Sequence, residues 1–93
     1  MDYKVKWTKT ANHKLYEIVA YLADNWSKEI VDTFVNKVFK IIDLLTKFPE
    51  LGQVQLKDKK IRAVVITKQV RLYYRVSRKT IILLNFIDVR MNK

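Results

Sequence analysis

Val70-Arg71-Leu72-Tyr73-Tyr74-Arg75-Val76, followed by Ser77-Arg78-Lys79-Thr80 and then Ile81-Ile82-Leu83-Leu84-Asn85-Phe86-Ile87, decides the architecture of this chain. The first segment alternates at period two. Val70, Leu72, Tyr74 and Val76 fall on one face of a strand, and Arg71, Tyr73 and Arg75 fall on the other. Ser77 to Thr80 reads as a hairpin connection. The segment Ile81–Ile87 is apolar on both faces, which predicts a strand with neighbours on both sides. Upstream, Thr67-Lys68-Gln69 reads as a turn. Ile61 to Ile66 reads as a further strand, interrupted by Arg62.

The only proline and the only glycine stand together in Phe48-Pro49-Glu50-Leu51-Gly52. Proline disfavours helical geometry at Phe48 and ends a helix there, and Gly52 permits a positive φ in the reversal. Residues 53–60 are polar and are expected to form a loop. Two helices precede this turn. Ala11, Leu15, Ile18 and Leu22 make one stripe, with Thr8 or Thr10 as its cap. Val31, Phe34, Val38, Ile41, Leu45 and Phe48 make a second, opened by Ser27 and running to about Lys47, with Glu29 complementing the dipole in its first turn. The gap between the helices is short enough to force an antiparallel hairpin. At the N-terminus, Tyr3-Lys4-Val5-Lys6-Trp7 alternates as a half-buried strand. The order β-α-α-β-β-β predicts an α+β fold. An antiparallel helical hairpin would pack on one face of a small, mostly antiparallel four-stranded sheet, with residues 1–93 forming a single domain. The last strand is expected to lie between the third strand and the first, pairing with the first in parallel.

Composition bounds the chemistry. The chain has 93 residues, 49% hydrophobic, with two Trp, five Tyr and four Phe, enough for one core and too much for disorder. With no Cys, disulfides and thiolate metal sites are excluded, and a single His excludes a His-rich cluster. No cofactor or metal is expected. No apolar run approaches the roughly 18 residues of a membrane span, and the N-terminus has a strand pattern, so a cytoplasmic setting is expected. The net charge of +10 is lopsided: residues 1–50 hold 8 basic and 7 acidic residues, and residues 51–93 hold 11 and 2. A one-sided field of this kind suits a polyanion or an acidic protein partner.

The candidate binding cluster lies in that second half. Arg71, Tyr73 and Arg75 share one strand face, Arg62 is expected beside them from the neighbouring strand, and Lys57, Lys59 and Lys60 lie just before it. Arginine forks phosphates and tyrosine stacks on bases, whereas on a merely solvated face the long side chains would cover Tyr73. Arg90 stands two residues after Asp88, which implies either a short-range ion pair or a contact at the sheet end. His13 lies off the apolar stripe and reads as a surface residue beside Glu17. Trp7 and Phe34 read as core and Trp26 as a packing plug in the interhelix turn. Lys28, Lys37 and Lys40 read as solvated charges. No Gly-rich phosphate loop, metal signature or Ser-His-Asp set is present.

Taken in order, these segments resemble the RelE/ParE superfamily of type II toxins over nearly the whole chain. The resemblance is carried by Val5-Lys6-Trp7-Thr8, Ala11, Leu15, Ile18 and Tyr21-Leu22, and by Ser27 and Ile41-Ile42-Asp43-Leu44-Leu45. It continues through the Pro49-to-Gly52 turn, Ile61-Arg62, Val70–Val76 and Ile81–Ile87. It implies a helical hairpin on a small twisted sheet and a cognate antitoxin encoded alongside, acidic and folding on contact, through which any oligomer would form. It also implies one of two activities. RelE-like members enter the ribosomal A site and cleave mRNA; ParE-like members poison DNA gyrase without a hydrolytic site. In a nuclease, the resemblance would give the RNA-binding and activating roles to Lys60, Arg62, Arg71 and Arg90. RelE-like nucleases commonly add a Tyr or His near the C-terminus, but here the chain ends Asp88-Val89-Arg90-Met91-Asn92-Lys93. The long hairpin, the Pro-x-x-Gly turn and this ending resemble ParE more. The alternatives are a ribosome-dependent endoribonuclease and a basic RNA-binding module outside the toxins.

Overall fold

The structure is a computed structural model that describes residues 2–91. Its elements are β1 (Lys4–Trp7), α1 (Lys9–Asn25), α2 (Lys28–Lys47), β2 (Gln53–Leu56), β3 (Ile61–Val65), β4 (Val70–Ser77) and β5 (Thr80–Asp88). They form one five-stranded sheet in the order β1-β5-β4-β3-β2. The β1–β5 pair is parallel and the other three pairs are antiparallel, so the sheet is mixed. The four-stranded expectation is corrected by β2, which occupies part of the segment read as a loop. Gln53-Val54-Gln55-Leu56 alternates, but as an edge strand it has no core face to fill, and all four residues are exposed. A loop-like composition is therefore compatible with strand pairing there.

Both helices start where their caps dictate. The Thr8 hydroxyl accepts from the Ala11 N–H at 3.1 Å and donates to the Leu83 carbonyl at 2.7 Å, so one side chain opens α1 and ties it to β5. Ser27 caps α2 by accepting from Ile30 N. The buried residues of α2 are Phe34, Val38, Ile42 and Leu45. Phe48, expected on that stripe, is its C-cap; it has left helical geometry and is 60% exposed. The helices cover one face of the sheet, where Leu72, Tyr74, Ile81, Leu83 and Phe86 complete the core with Ile18, Leu22 and the α2 stripe. Trp7 stacks on Phe86 at 5.9 Å from its half-buried place on β1.

The β4–β5 hairpin turns through Arg78 and Lys79, both with positive φ (49° and 60°). Two positive φ values suit the right-handed twist of the flanking strands. Further along, Tyr73 faces Asn85 while Tyr74 faces Leu83, leaving Leu84 as the extra residue of a β-bulge. The bulge changes the phase of β5, so that Ile81, Leu83, Phe86 and Asp88 are all buried.

Gly52 does not adopt a positive φ; none of the described glycines does. Glycine is required there for space. A Cβ would lie 2.8 Å from the Ala63 carbonyl oxygen and 2.8 Å from both Cε1 and the hydroxyl of Tyr74. The Gly52 N–H donates to the Tyr74 hydroxyl at 2.8 Å, and that hydroxyl donates to the Pro49 carbonyl at 2.8 Å. Replacing Tyr74 by Phe leaves both backbone groups without this partner.

Tyr74→Phe is expected to lower the unfolding free energy by about 1–3 kcal/mol in urea denaturation at neutral pH. Burial raises the Tyr74 pKa above its ordinary value. The neutral hydroxyl is thus favoured in the fold, and its contribution is present below about pH 10 and lost as the pH rises beyond it. Stability measured across that range is expected to fall less steeply in the Phe variant.

Candidate functional site

The expected row of Arg71, Tyr73 and Arg75 lies on the sheet face away from the helices. Arg71 is flanked by Val65 and Ile87, Tyr73 by Ala63 and Asn85, and Arg75 by Ile61 and Ile82. Cross-strand partners share a face. This surface is therefore a central Arg-Tyr-Arg row between largely aliphatic rows, and less uniformly basic than its sequence implied. Arg71 and Arg75 are exposed, and Tyr73 is half-buried.

Arg62 does not join them. It pairs with Tyr74, whose side chain belongs to the core, so Arg62 is on the helix side of the sheet. Its Nη1 donates to the Gly52 carbonyl at 2.7 Å and to the Glu50 carbonyl at 3.3 Å. These bonds fix the guanidinium against the turn that follows α2. Lys57, Lys59 and Lys60 occupy the exposed turn joining β2 to β3, where Lys60 takes a positive φ of 57°. Lys60 borders two depressions. One, of about 670 Å³, lies next to Lys59, Arg75, Arg78 and Leu84. The other, of about 420 Å³, lies beside Arg62, Val54 and Val76.

Arg90 is committed elsewhere. Its Nε and Nη2 donate to the two Asp88 oxygens at 2.9 and 2.6 Å. The Asp88 side chain is fully buried and that of Arg90 is 27% exposed. This hydrogen-bonded carboxylate raises the Arg90 pKa above the ordinary guanidinium value. The guanidinium also lies 5.8 Å from the Tyr21 ring centroid and 5.6 Å from that of Trp26. Trp26 thus lies against Arg90, just past the end of β5, but it is 46% exposed and is not the buried plug expected of it. The Asp88–Arg90 spacing announced the ion pair; the stacking on two helix-hairpin aromatics carried no sequence signal.

The four cations that nuclease chemistry would draw on are consequently dispersed. Lys60 and Arg62 are at one end of the sheet. Arg71 lies four residues along β4 from Arg75, roughly 13 Å at strand rise, on the other face from Arg62. Arg90 is held by Asp88 at the far end. His13 is exposed and pairs with Glu17 at 3.0 Å. Among the described residues, no ion pair involves Lys57, Lys59, Lys60, Arg62, Arg71 or Arg75. No group of three or more His, Cys, Asp or Glu among them could hold a metal ion, and no helix is long and apolar enough to cross a membrane. Asn92 and Lys93, part of the C-terminal segment that holds neither Tyr nor His, lie outside the described residues.

A helical hairpin on one face of a mixed sheet, with cations over the other face and one end, defines a small basic α+β protein. The family model of the ParE toxin of the type II toxin–antitoxin system parDE matches residues 5–92, and the chain belongs to that family. No curated protein sequence matches it. Among solved structures, the chromosomal ParDE system of P. aeruginosa is similar, with TM-score 0.76, 19% identity, and 94% of this chain and 96% of that one covered. The RelBE2 toxin–antitoxin complex of Mycobacterium tuberculosis gives TM-score 0.63, 20% identity, and 95% and 99% coverage. A copper-bound mutant toxin of Helicobacter pylori gives 0.60, 24%, and 92% and 93%. At these identities the structural likeness speaks for the shared fold.

Arg90→Ala is expected to cost about 3 kcal/mol, because it strands the buried Asp88 carboxylate. Arg71→Ala is expected to change stability by less than about 0.5 kcal/mol. Urea denaturation of the two variants beside the wild type separates a structural arginine from a surface one.

Proposed function

We propose that this ParE-family toxin acts by poisoning DNA gyrase and is neutralised by a cognate, acidic antitoxin in the cytoplasm. The observation that carries this reading is the dispersal of Lys60, Arg62, Arg71 and Arg90. Two of the four are bound within the protein, Arg62 by the Gly52 and Glu50 carbonyls and Arg90 by Asp88. Cleavage of RNA requires a base for the 2′-hydroxyl and an acid for the leaving oxygen. An arginine hardly titrates below about pH 12, and the one histidine is on α1, remote from the cation row. A gyrase-directed toxin needs shape and charge instead. Target and antitoxin contacts are assigned to the exposed cations Lys57, Lys59, Lys60, Arg71 and Arg75 together with Tyr73, and the field they create speeds encounter.

The purified wild-type protein is expected to abolish gyrase supercoiling or to accumulate gyrase–DNA cleavage complexes, while ribosome-bound mRNA stays intact. Cuts within A-site codons alongside normal supercoiling would reverse the reading in favour of a RelE-like endoribonuclease. Arg71→Ala would then be expected to slow cleavage on the order of a hundredfold.

A further inference from the structure

The turn joining β2 to β3 and the hairpin joining β4 to β5 both border the depression of about 670 Å³. Four cations converge on it. Lys59 and Lys60 come from the first turn, Arg75 from β4 and Arg78 from the hairpin. Asp58 is the one acidic residue of the lining. Among the described residues, no ion pair involves any of these five side chains. Like charges gathered without counter-charges repel one another, and a bound anion relieves that repulsion. The backbone supplies a second observation. Lys60 and Arg78 have positive φ, 57° and 49°. Glycine or asparagine adopts this left-handed conformation with less strain. At both places a cation stands instead, and both cations border the depression. The floor differs in kind. Ile61, paired with Arg75, and Leu84, the extra residue of the β5 bulge, give it apolar surface, and Ser77 adds a hydroxyl.

We propose that this depression binds a polyphosphate group, carried by a nucleoside triphosphate or free as inorganic polyphosphate. Its volume falls within the roughly 300–1,000 Å³ of small-molecule sites. Arginine grips phosphate oxygens through paired N–H groups, and lysine meets them as a point charge. The charge pattern selects the occupant. A polyphosphate concentrates several negative charges in a chain a few atoms long, which matches cations converging on one spot from three parts of the fold. The carboxylates of an acidic peptide are spread one to a residue. A nucleic-acid strand requires a groove that tracks its backbone and aromatic faces for its bases, and none of the lining residues is aromatic. Lys59, Lys60 and Arg75 are also among the cations assigned to target and antitoxin contacts, so a bound polyphosphate would compete for that surface. The site itself does not depend on that assignment.

The test uses the full chain, ¹⁵N-labelled, titrated at constant ionic strength with inorganic tripolyphosphate, ATP, monophosphate, hexaglutamate and hexauridylate. Tripolyphosphate and ATP are expected to move the amide resonances of Lys60, Arg75, Ser77, Arg78 and Leu84. Monophosphate and hexaglutamate are each expected to bind roughly tenfold more weakly. ATP binding more tightly than tripolyphosphate would identify a nucleotide as the source of the phosphates; equal binding would identify the free polyphosphate. Arg78→Asn, which suits the left-handed backbone, and Arg75→Gln, which keeps the strand, are each expected to weaken tripolyphosphate roughly tenfold. Lys40→Gln removes the same charge from α2 and is expected to leave the affinity within about twofold. Four results would each overturn the proposal: no binding of tripolyphosphate; shifts centred on Arg71 and Tyr73; a loss in Lys40→Gln equal to that in Arg78→Asn, which would show attraction by net charge only; or tighter binding of hexaglutamate or hexauridylate at the same residues. A failed supercoiling assay would reject the gyrase reading and leave the titration result standing, so the two can fail separately.

Discussion

A phenolic oxygen holds the turn by which the helical hairpin leads into the rest of the sheet. The Tyr74 hydroxyl accepts from Gly52 N and donates to the Pro49 carbonyl, each at 2.8 Å. Tyr74 sits on β4, the middle strand, and Pro49 and Gly52 belong to the only turn through which the helical hairpin passes into the second half of the sheet. The ring occupies the space a side chain at position 52 would need. Once the turn is held, its Gly52 and Glu50 carbonyls receive Arg62, and β2 starts directly after it. A buried polar atom that satisfies two backbone groups is costly to replace, because each orphaned group loses its compensation for leaving water.

The positive charge of the chain divides into cations used by the fold and cations left to solvent. Arg90 and Arg62 serve the first purpose. One neutralises a carboxylate whose side chain has no exposure, and the other closes backbone acceptors. The lysines at 57, 59 and 60 and the arginines at 71 and 75 serve no such purpose among the described contacts, and they occupy a turn and a strand face that the helices never cover. A surface of this kind accelerates encounter and selects partners by sign. Acid–base catalysis makes a different demand, for a group whose ionisation lies near the working pH. Membership of the ParE family is thus matched by a surface suited to binding.

Much of the fold was legible because local signals agreed. Thr8 and Ser27 stand where caps should, the apolar stripes run at helical spacing, and Val70 to Val76 alternates without interruption. The parallel pairing of β1 with β5 followed from an apolar last strand that needed two neighbours. The failures share a physical cause: each needed knowledge of a distant segment. Residues on β3 alternate, but both sets are largely apolar, so only pairing with Tyr74 reveals that Arg62 faces the helices. Gly52 was assigned to a conformational need when the constraint was a ring 22 residues away. β2 does alternate, with Val54 and Leu56 between glutamines, but over only four residues that all stay exposed, so no burial demand marked the segment as a strand. Of the candidate surface, the Arg71-Tyr73-Arg75 row was readable from period two alone. The depression between Lys60, Arg75 and Leu84 was not, since its walls come from separated parts of the chain.

The extra residue at Leu84 makes the length of β5 matter more than its composition at that point. Up to Leu83 the odd-numbered residues face inward; after the bulge, Phe86 and Asp88 do. Losing one residue there would turn Asp88 to the outside and release Arg90 from the carboxylate and from Trp26. Substitutions at Leu84 should therefore be tolerated far better than a deletion. The same irregularity acts as a frame-shift in any residue-by-residue comparison: against a relative whose last strand lacks the bulge, every position after Leu84 would be matched to the opposite face. The identity of a C-terminal cation, taken from such an alignment, would then say nothing about which surface it serves.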